Sequence, residues 1–84
     1  MASIDDVSAA IETLKGAIDG AISQVGAAAG QADELYSQLQ GAGAEGLANI
    51  INNSKDGLEK IRGILEQAKN ESDTVKSTVE SARG

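Results

Sequence analysis

The sequence predicts an all-α fold, a long antiparallel helical hairpin that dimerises into a four-helix bundle. Three observations carry that expectation. Proline is absent from all 84 residues, so no fixed φ or missing N–H interrupts a long helix. Apolar residues recur at alternating spacings of three and four on both sides of the midpoint, the signature of a helix with one buried stripe. Between these stretches lies the only run with three glycines in six residues, Gly41 to Gly46. The expected organisation is one domain over residues 1–84, with a helix over about 4–40, a glycine-rich bend at 41–46 and a helix over about 47–83.

The first helix is read by placing Ile4 at heptad position a. Ile11, Ile18, Val25, Ala32 and Leu39 then follow at a, and Val7, Leu14, Ala21, Ala28 and Leu35 fall at d. All are apolar over five heptads, whereas a strand would alternate with period two. Ser3 followed by Asp6 fits a capping box with Asp in place of Glu. Asp5 and Asp6 put negative charge on the first turn, where the helix dipole favours it. Gly41 suits the left-handed position that ends a helix. Such a helix is on the order of 55 Å long.

In the second helix Leu47 takes position d, and the seam continues through Ile51, Ser54, Leu58, Ile61, Leu65, Ala68, Ser72, Val75, Val79 and Ala82. Only the two serines are polar, and the expectation is that each bonds back to its own helix. Position e holds Lys55, Arg62, Lys69, Lys76 and Arg83, and position b holds Glu59, Glu66, Asp73 and Glu80. Each such acid stands three residues before one base and four after another, and pairs of this kind contribute roughly 0.2–0.5 kcal/mol on a helix surface. The basic stripe therefore reads as a solvated flank paired within its own helix.

Two helices of equal length and a short bend fold back on each other. A lone hairpin of this size is nearly all surface, and chains this small seldom bury enough apolar area alone. Ala10, Ala17, Ile22, Ala29 and Tyr36 widen the apolar face of the first helix, as Ile50 and Ile64 do in the second. The expected partner is a second copy or a related hairpin.

Composition removes most chemistry. There is no His and no Cys, so the common metal ligands, the usual general base and the thiolate nucleophile are missing. A net charge of −6 argues against nucleic acid, which requires a basic footprint. The uncharged stretch from Gly20 to Ala32 is too short and too polar to span a membrane. The start Met-Ala-Ser-Ile-Asp-Asp has no basic or apolar region, so no cleaved leader is expected. Asp5–Asp6 and Asp33–Glu34 are adjacent pairs that point about 100° apart on a helix, which suits capping and solvation rather than an acid–base dyad. No catalytic, cofactor-binding or metal-binding residue is expected, and the chain reads as no enzyme. Tyr36, the only aromatic, is expected to cover the core near the bend with its hydroxyl in water.

One further face stands out. Positions c and f of the first helix hold Thr13, Gly16, Gly20, Ser23, Ala27 and Gly30, where an ordinary solvated helix carries Glu, Lys or Gln. Each interior glycine costs roughly 1 kcal/mol relative to alanine. Two readings stand: a second packing interface along Thr13 to Gly30, or an exposed, deliberately soft helix face.

The layout resembles the WXG-type small helical hairpins, the ESAT-like substrates of type VII secretion. The resemblance rests on a chain under a hundred residues with two helices of similar length, a glycine-containing bend at the middle and an acidic balance. Gly43 stands where the family's bend glycine falls, with Gly41 at the tryptophan position. The family's export signal, Tyr with an acid four residues later, has Tyr36 followed by Gln40. The resemblance implies a dimeric four-helix bundle, export without a cleaved signal, and action by binding. Apart from it, the residues fit a cytoplasmic coiled-coil scaffold or adaptor. A lipid-surface helix fits least, because Lys15 is the only base of the first helix.

Overall fold

The computed structural model describes residues 3–83; Met1 and Ala2, read above for a leader, lie outside them. Helix α1 spans Ile4–Gly41 and helix α2 spans Glu45–Ser81. They pack antiparallel as a hairpin 64 × 15 × 14 Å in extent. Its radius of gyration is 18.9 Å, against about 12 Å for a compact chain of this length. The rod shape follows from two 37- and 38-residue helices with a single turn between them.

Both ends of α1 are built from local chemistry. Ser3 Oγ accepts from the Asp6 backbone N–H at 3.1 Å, and the Asp6 carboxylate accepts from the Ser3 N–H at 3.3 Å. This is the expected capping box, in which two otherwise unpaired donors are satisfied reciprocally. At the other end the turn is tighter than the glycine run suggests. Gly41 is still helical, Ala42 is the C-cap, and Gly46 lies inside α2. The left-handed residue is Gly43, at φ 77°, and not Gly41. Gly43 N–H donates to the Gln40 carbonyl at 3.0 Å and Ala44 N–H to that of Leu39 at 2.9 Å. That nested pair is the Schellman geometry, which only a residue tolerant of positive φ completes cheaply.

The buried seam keeps the expected a positions and Val7, but its second row is e and not d. The residues turned inward follow positions a and e in both helices, not a and d. In α1 they are Ile4, Ser8, Ile11, Lys15, Ile18, Ile22, Val25, Ala29, Ala32, Tyr36 and Leu39; in α2, Ala48, Ile51, Lys55, Leu58, Leu65, Lys69, Ser72, Lys76 and Val79. Val7, Ala21, Ala28 and Ala68, at d, are half-buried beside it. Five large residues placed at d, Leu14, Leu35, Leu47, Ile61 and Val75, are exposed instead. The centre of an a/e stripe lies about 50° around a helix from that of an a/d stripe, at 100° per residue, so both helices are rolled by that angle. The four most buried residues are Ser8, Ala29, Ala48 and Ser72. All are small, and small side chains are what let two backbones approach closely. Ser54 and Ser72 do bond back to their own helix, to the carbonyls of Ile50 at 3.1 Å and Ala68 at 2.9 Å.

Candidate interaction surfaces

The roll gives the hairpin two unlike long sides. On one side run the acids at position b of α1 and the bases at position e of α2. Asp33 meets Lys55 at 2.5 Å, Asp19 meets Lys69 at 2.8 Å, Glu12 meets Lys76 at 2.5 Å, and Asp5 meets Arg83. The acids recur every seven residues in one direction and the bases every seven in the other, so an antiparallel pairing brings each onto its mate. The expectation of a solvated basic flank is corrected here: four of the five bases of that stripe cross to the other helix. The aliphatic stems of Lys55, Lys69 and Lys76 lie along the seam while their ammonium groups reach water and acid; Arg83 is exposed at the open end.

The ladder has one gap. Where the period would place an acid, α1 has Gly26, and the facing Arg62 turns to Glu66 in its own helix at 3.5 Å. A further crossing runs the opposite way, from Lys15 of α1 to Asp73 of α2, with Lys15 also 3.5 Å from Glu12. Glu12, Lys15, Asp73 and Lys76 thus form one network near the open end of the hairpin.

The network moves its proton affinities in the directions its geometry requires. The Lys76 hydrogen bond holds the Glu12 carboxyl below its ordinary value, and Lys15 does the same for Asp73. Asp73 raises Lys15, and Asp33 raises Lys55. A carboxyl with a lowered pKa contributes stability that is present above its unfolded pKa and lost as pH falls through the folded one. A lysine with a raised pKa contributes stability present below its unfolded value and lost as pH rises through the folded one. Acid below the ordinary carboxylate range, and alkali above the ordinary lysine range, should therefore each weaken the ladder. Between about pH 5 and pH 3, thermal melts of Glu12→Gln/Asp73→Asn should show a smaller pH dependence than those of the unaltered chain. An equal dependence would mean that these pairs contribute nothing to the fold.

The opposite side is formed by positions d and g. It exposes Leu14, Leu35, Leu47, Ile50, Ile61, Ile64 and Val75, with Ile64 the most open at 65%. Of the chain's charged residues only Glu71 falls at d or g. Ile11, Leu14, Ile18, Ala68, Glu71, Ser72 and Val75 line a groove of about 370 Å³ along this side. Seven large hydrophobics in one stripe are unlike the scattered apolar residues of an ordinary surface.

The small-residue stretch Thr13, Gly16, Gly20, Ser23, Ala27 and Gly30 lies on the outer face of α1, away from both the seam and the apolar side. A Cβ added at Gly16, Gly20 or Gly30 would meet nothing within 4 Å. Tyr36 is half-buried in the seam, and its hydroxyl accepts from Gln40 Nε2 at 2.7 Å. Among the described residues no helix is long and apolar enough to cross a membrane.

Ile22, Ala29 and Tyr36, expected beside the seam, lie in it, and the residues missed in the sequence are the others at e: Ser8 and Lys15 in α1, and Ala48, Lys55, Lys69 and Lys76 in α2. A signal for them existed, in the seven-residue recurrence of Asp5, Glu12, Asp19 and Asp33, which mirrors the base stripe of the second helix. No family model, curated protein or solved structure matches this chain.

Proposed function

We propose that this protein is a non-catalytic helical interaction module whose working form is a dimer of hairpins, a four-helix bundle joined through the d and g positions. The observation that carries this reading is the segregation of charge. One long side is closed by ion pairs, while the other is almost uncharged and holds seven exposed large hydrophobics. Apolar area in contact with water is unfavourable by roughly 25 cal/mol per Å², so a stripe of this extent is stable in solution when covered.

Sedimentation equilibrium at micromolar concentration tests it. The expected mass is twice 8.5 kDa or a higher multiple, with high helical content by circular dichroism. A monodisperse, fully helical species of 8.5 kDa would overturn the reading.

The two-helix geometry with its bend at the middle also supports the WXG-like interpretation, in which the folded dimer is exported without a cleaved signal. Secretion of a tagged chain that stops when the type VII ATPase is deleted tests that part. Secretion that continues without the ATPase, or no secretion from a competent host, removes it and leaves the interaction module as a scaffold or adaptor.

A further inference from the structure

We propose that the hairpin flexes at a waist, residues 20–32 of α1 and 56–68 of α2, so that the half by the bend and the half by the open end move as two stiffer bodies. The waist belongs to one hairpin and does not depend on the dimer reading.

The ion-pair ladder marks the place. Its crossing pairs keep one register from Asp5–Arg83 to Asp33–Lys55, each step of seven along α1 matched by seven back along α2. Asp19–Lys69 and Asp33–Lys55 stand fourteen residues apart on each helix, about 21 Å. Among the described residues no ion pair or side-chain hydrogen bond crosses between those two rungs. Gly26 takes the place of the missing acid, and Arg62 opposite it is exposed. Lys55, Lys69 and Lys76, at the same heptad position, are half-buried. Over this section α2 turns inward only Leu58 and Leu65, with Ala68 half-buried at the edge. From Gly20 to Ala32, α1 has no charged residue, so no ion pair braces it from within.

Glycine enters the same section from both helices. Gly20, Gly26 and Gly30 lie in α1, Gly57 and Gly63 in α2, and away from the turn only Gly16 lies elsewhere in a helix. The register sets Gly26 level with Arg62, next to Gly63, and Gly30 level with Leu58, next to Gly57. A glycine is required where φ is positive or where a neighbour leaves no room for a Cβ. Neither applies here. Only Gly43 has positive φ among the described glycines, and a Cβ at any of the five would meet nothing within 4 Å. Within the hairpin, what these glycines supply is a softer helix. Each favours local opening about fivefold over alanine, because its backbone gains more freedom on opening and is less shielded from water. Facing glycines with no rung between them weaken both helices at one height.

The flanks are better tied. Asp33–Lys55, buried Ala48 and the Schellman turn hold the half by the bend. Asp5–Arg83, Asp19–Lys69 and the network of Glu12, Lys15, Asp73 and Lys76 hold the other. Leu14 and Val75 of the apolar side ride on the open-end half, and Leu35, Leu47 and Ile50 on the bend half. Bending at the waist re-aims one group against the other, so the apolar side can follow a partner surface that is not straight.

Hydrogen exchange read residue by residue on the full chain tests this. An ordinary hairpin frays from its open end and is best protected at its middle; the waist reverses that order. Protection factors over 22–30 and 58–66 should be at least about tenfold lower than over 11–18 and 69–76. Protection that is highest at the middle overturns the waist. Gly26→Glu supplies the missing rung to Arg62, and Gly26→Glu/Gly63→Ala should raise protection of the waist at least about tenfold while that of 11–18 stays unchanged. The chain has no cysteine, so Thr13→Cys/Ser37→Cys, on exposed positions of α1, takes two spin labels roughly 36 Å apart. Pulsed dipolar spectroscopy should give a broad distance distribution that narrows when Gly26→Glu/Gly63→Ala is added. A distribution already narrow in the labelled chain overturns the waist. If the added pair alters neither protection nor width but blocks a larger assembly, the glycines make room for a partner and the waist is likewise overturned.

Discussion

Ile64→Asp should abolish self-association and leave the hairpin helical. Ile64 is 65% exposed within one hairpin, so its loss costs the hairpin's own fold little. In the proposed dimer it lies on the apolar side that the two copies share, and every substitution enters twice. Central apolar anchors dominate interface energies, and a carboxylate there would be buried without a mate. The dissociation constant should rise at least about 100-fold, measured by sedimentation at several concentrations, with circular dichroism unchanged. Asn49→Asp, an equal change of charge on the outer face of α2, should dimerise normally. If Ile64→Asp associates as tightly as the unaltered chain, the apolar side is not the interface.

Leu65→Ala should destabilise the hairpin by about 2–3 kcal/mol, and by the same amount at low and high protein concentration. Leu65 is half-buried at position a, in the seam between the two helices. Leu14, assigned to the same seam by spacing alone, is 52% exposed. Leu14→Ala should therefore cost little in dilute solution and more where the dimer forms. Lys69→Ala removes one exposed rung of the ladder and should cost well under about 1 kcal/mol, as exposed pairs do. Urea melts at two protein concentrations separate the three. A Lys69 variant as damaged as the Leu65 variant would mean that ion pairs, rather than the seam, hold the helices together.

Much of this was legible in the residues. The capping box at Ser3 and Asp6 is a local device, set by four consecutive residues and one helical turn. Ser54 and Ser72 bond to their own carbonyls, again within one turn. The bend was legible to within a few residues, although the glycines could not say which of them takes positive φ. Gly41, Gly43 and Gly46 all tolerate it, and only the pairing of Ala44 with Leu39 assigns it to Gly43. The apolar side and the ion-pair side were each present as stripes, but which of them faces inward was not.

The sequence by itself determined that the chain is two long helices with a break at the middle. Hydrophobic period, capping and the absence of proline are properties of one helix at a time, and each is satisfied within a few residues. Only the tertiary structure decided the roll of those helices about their own axes. Leu14, Leu35, Leu47, Ile61 and Val75 fit a buried seam as well as Ala29, Ala48 and Ser72 do, because period constrains spacing and not the partner. What tips the balance lies between the helices. Small residues at e allow close approach, and four acids of α1 then meet four bases of α2, three of them lysines whose stems lie in the seam. The larger apolar residues at d are left facing outward, where one hairpin has nothing to cover them.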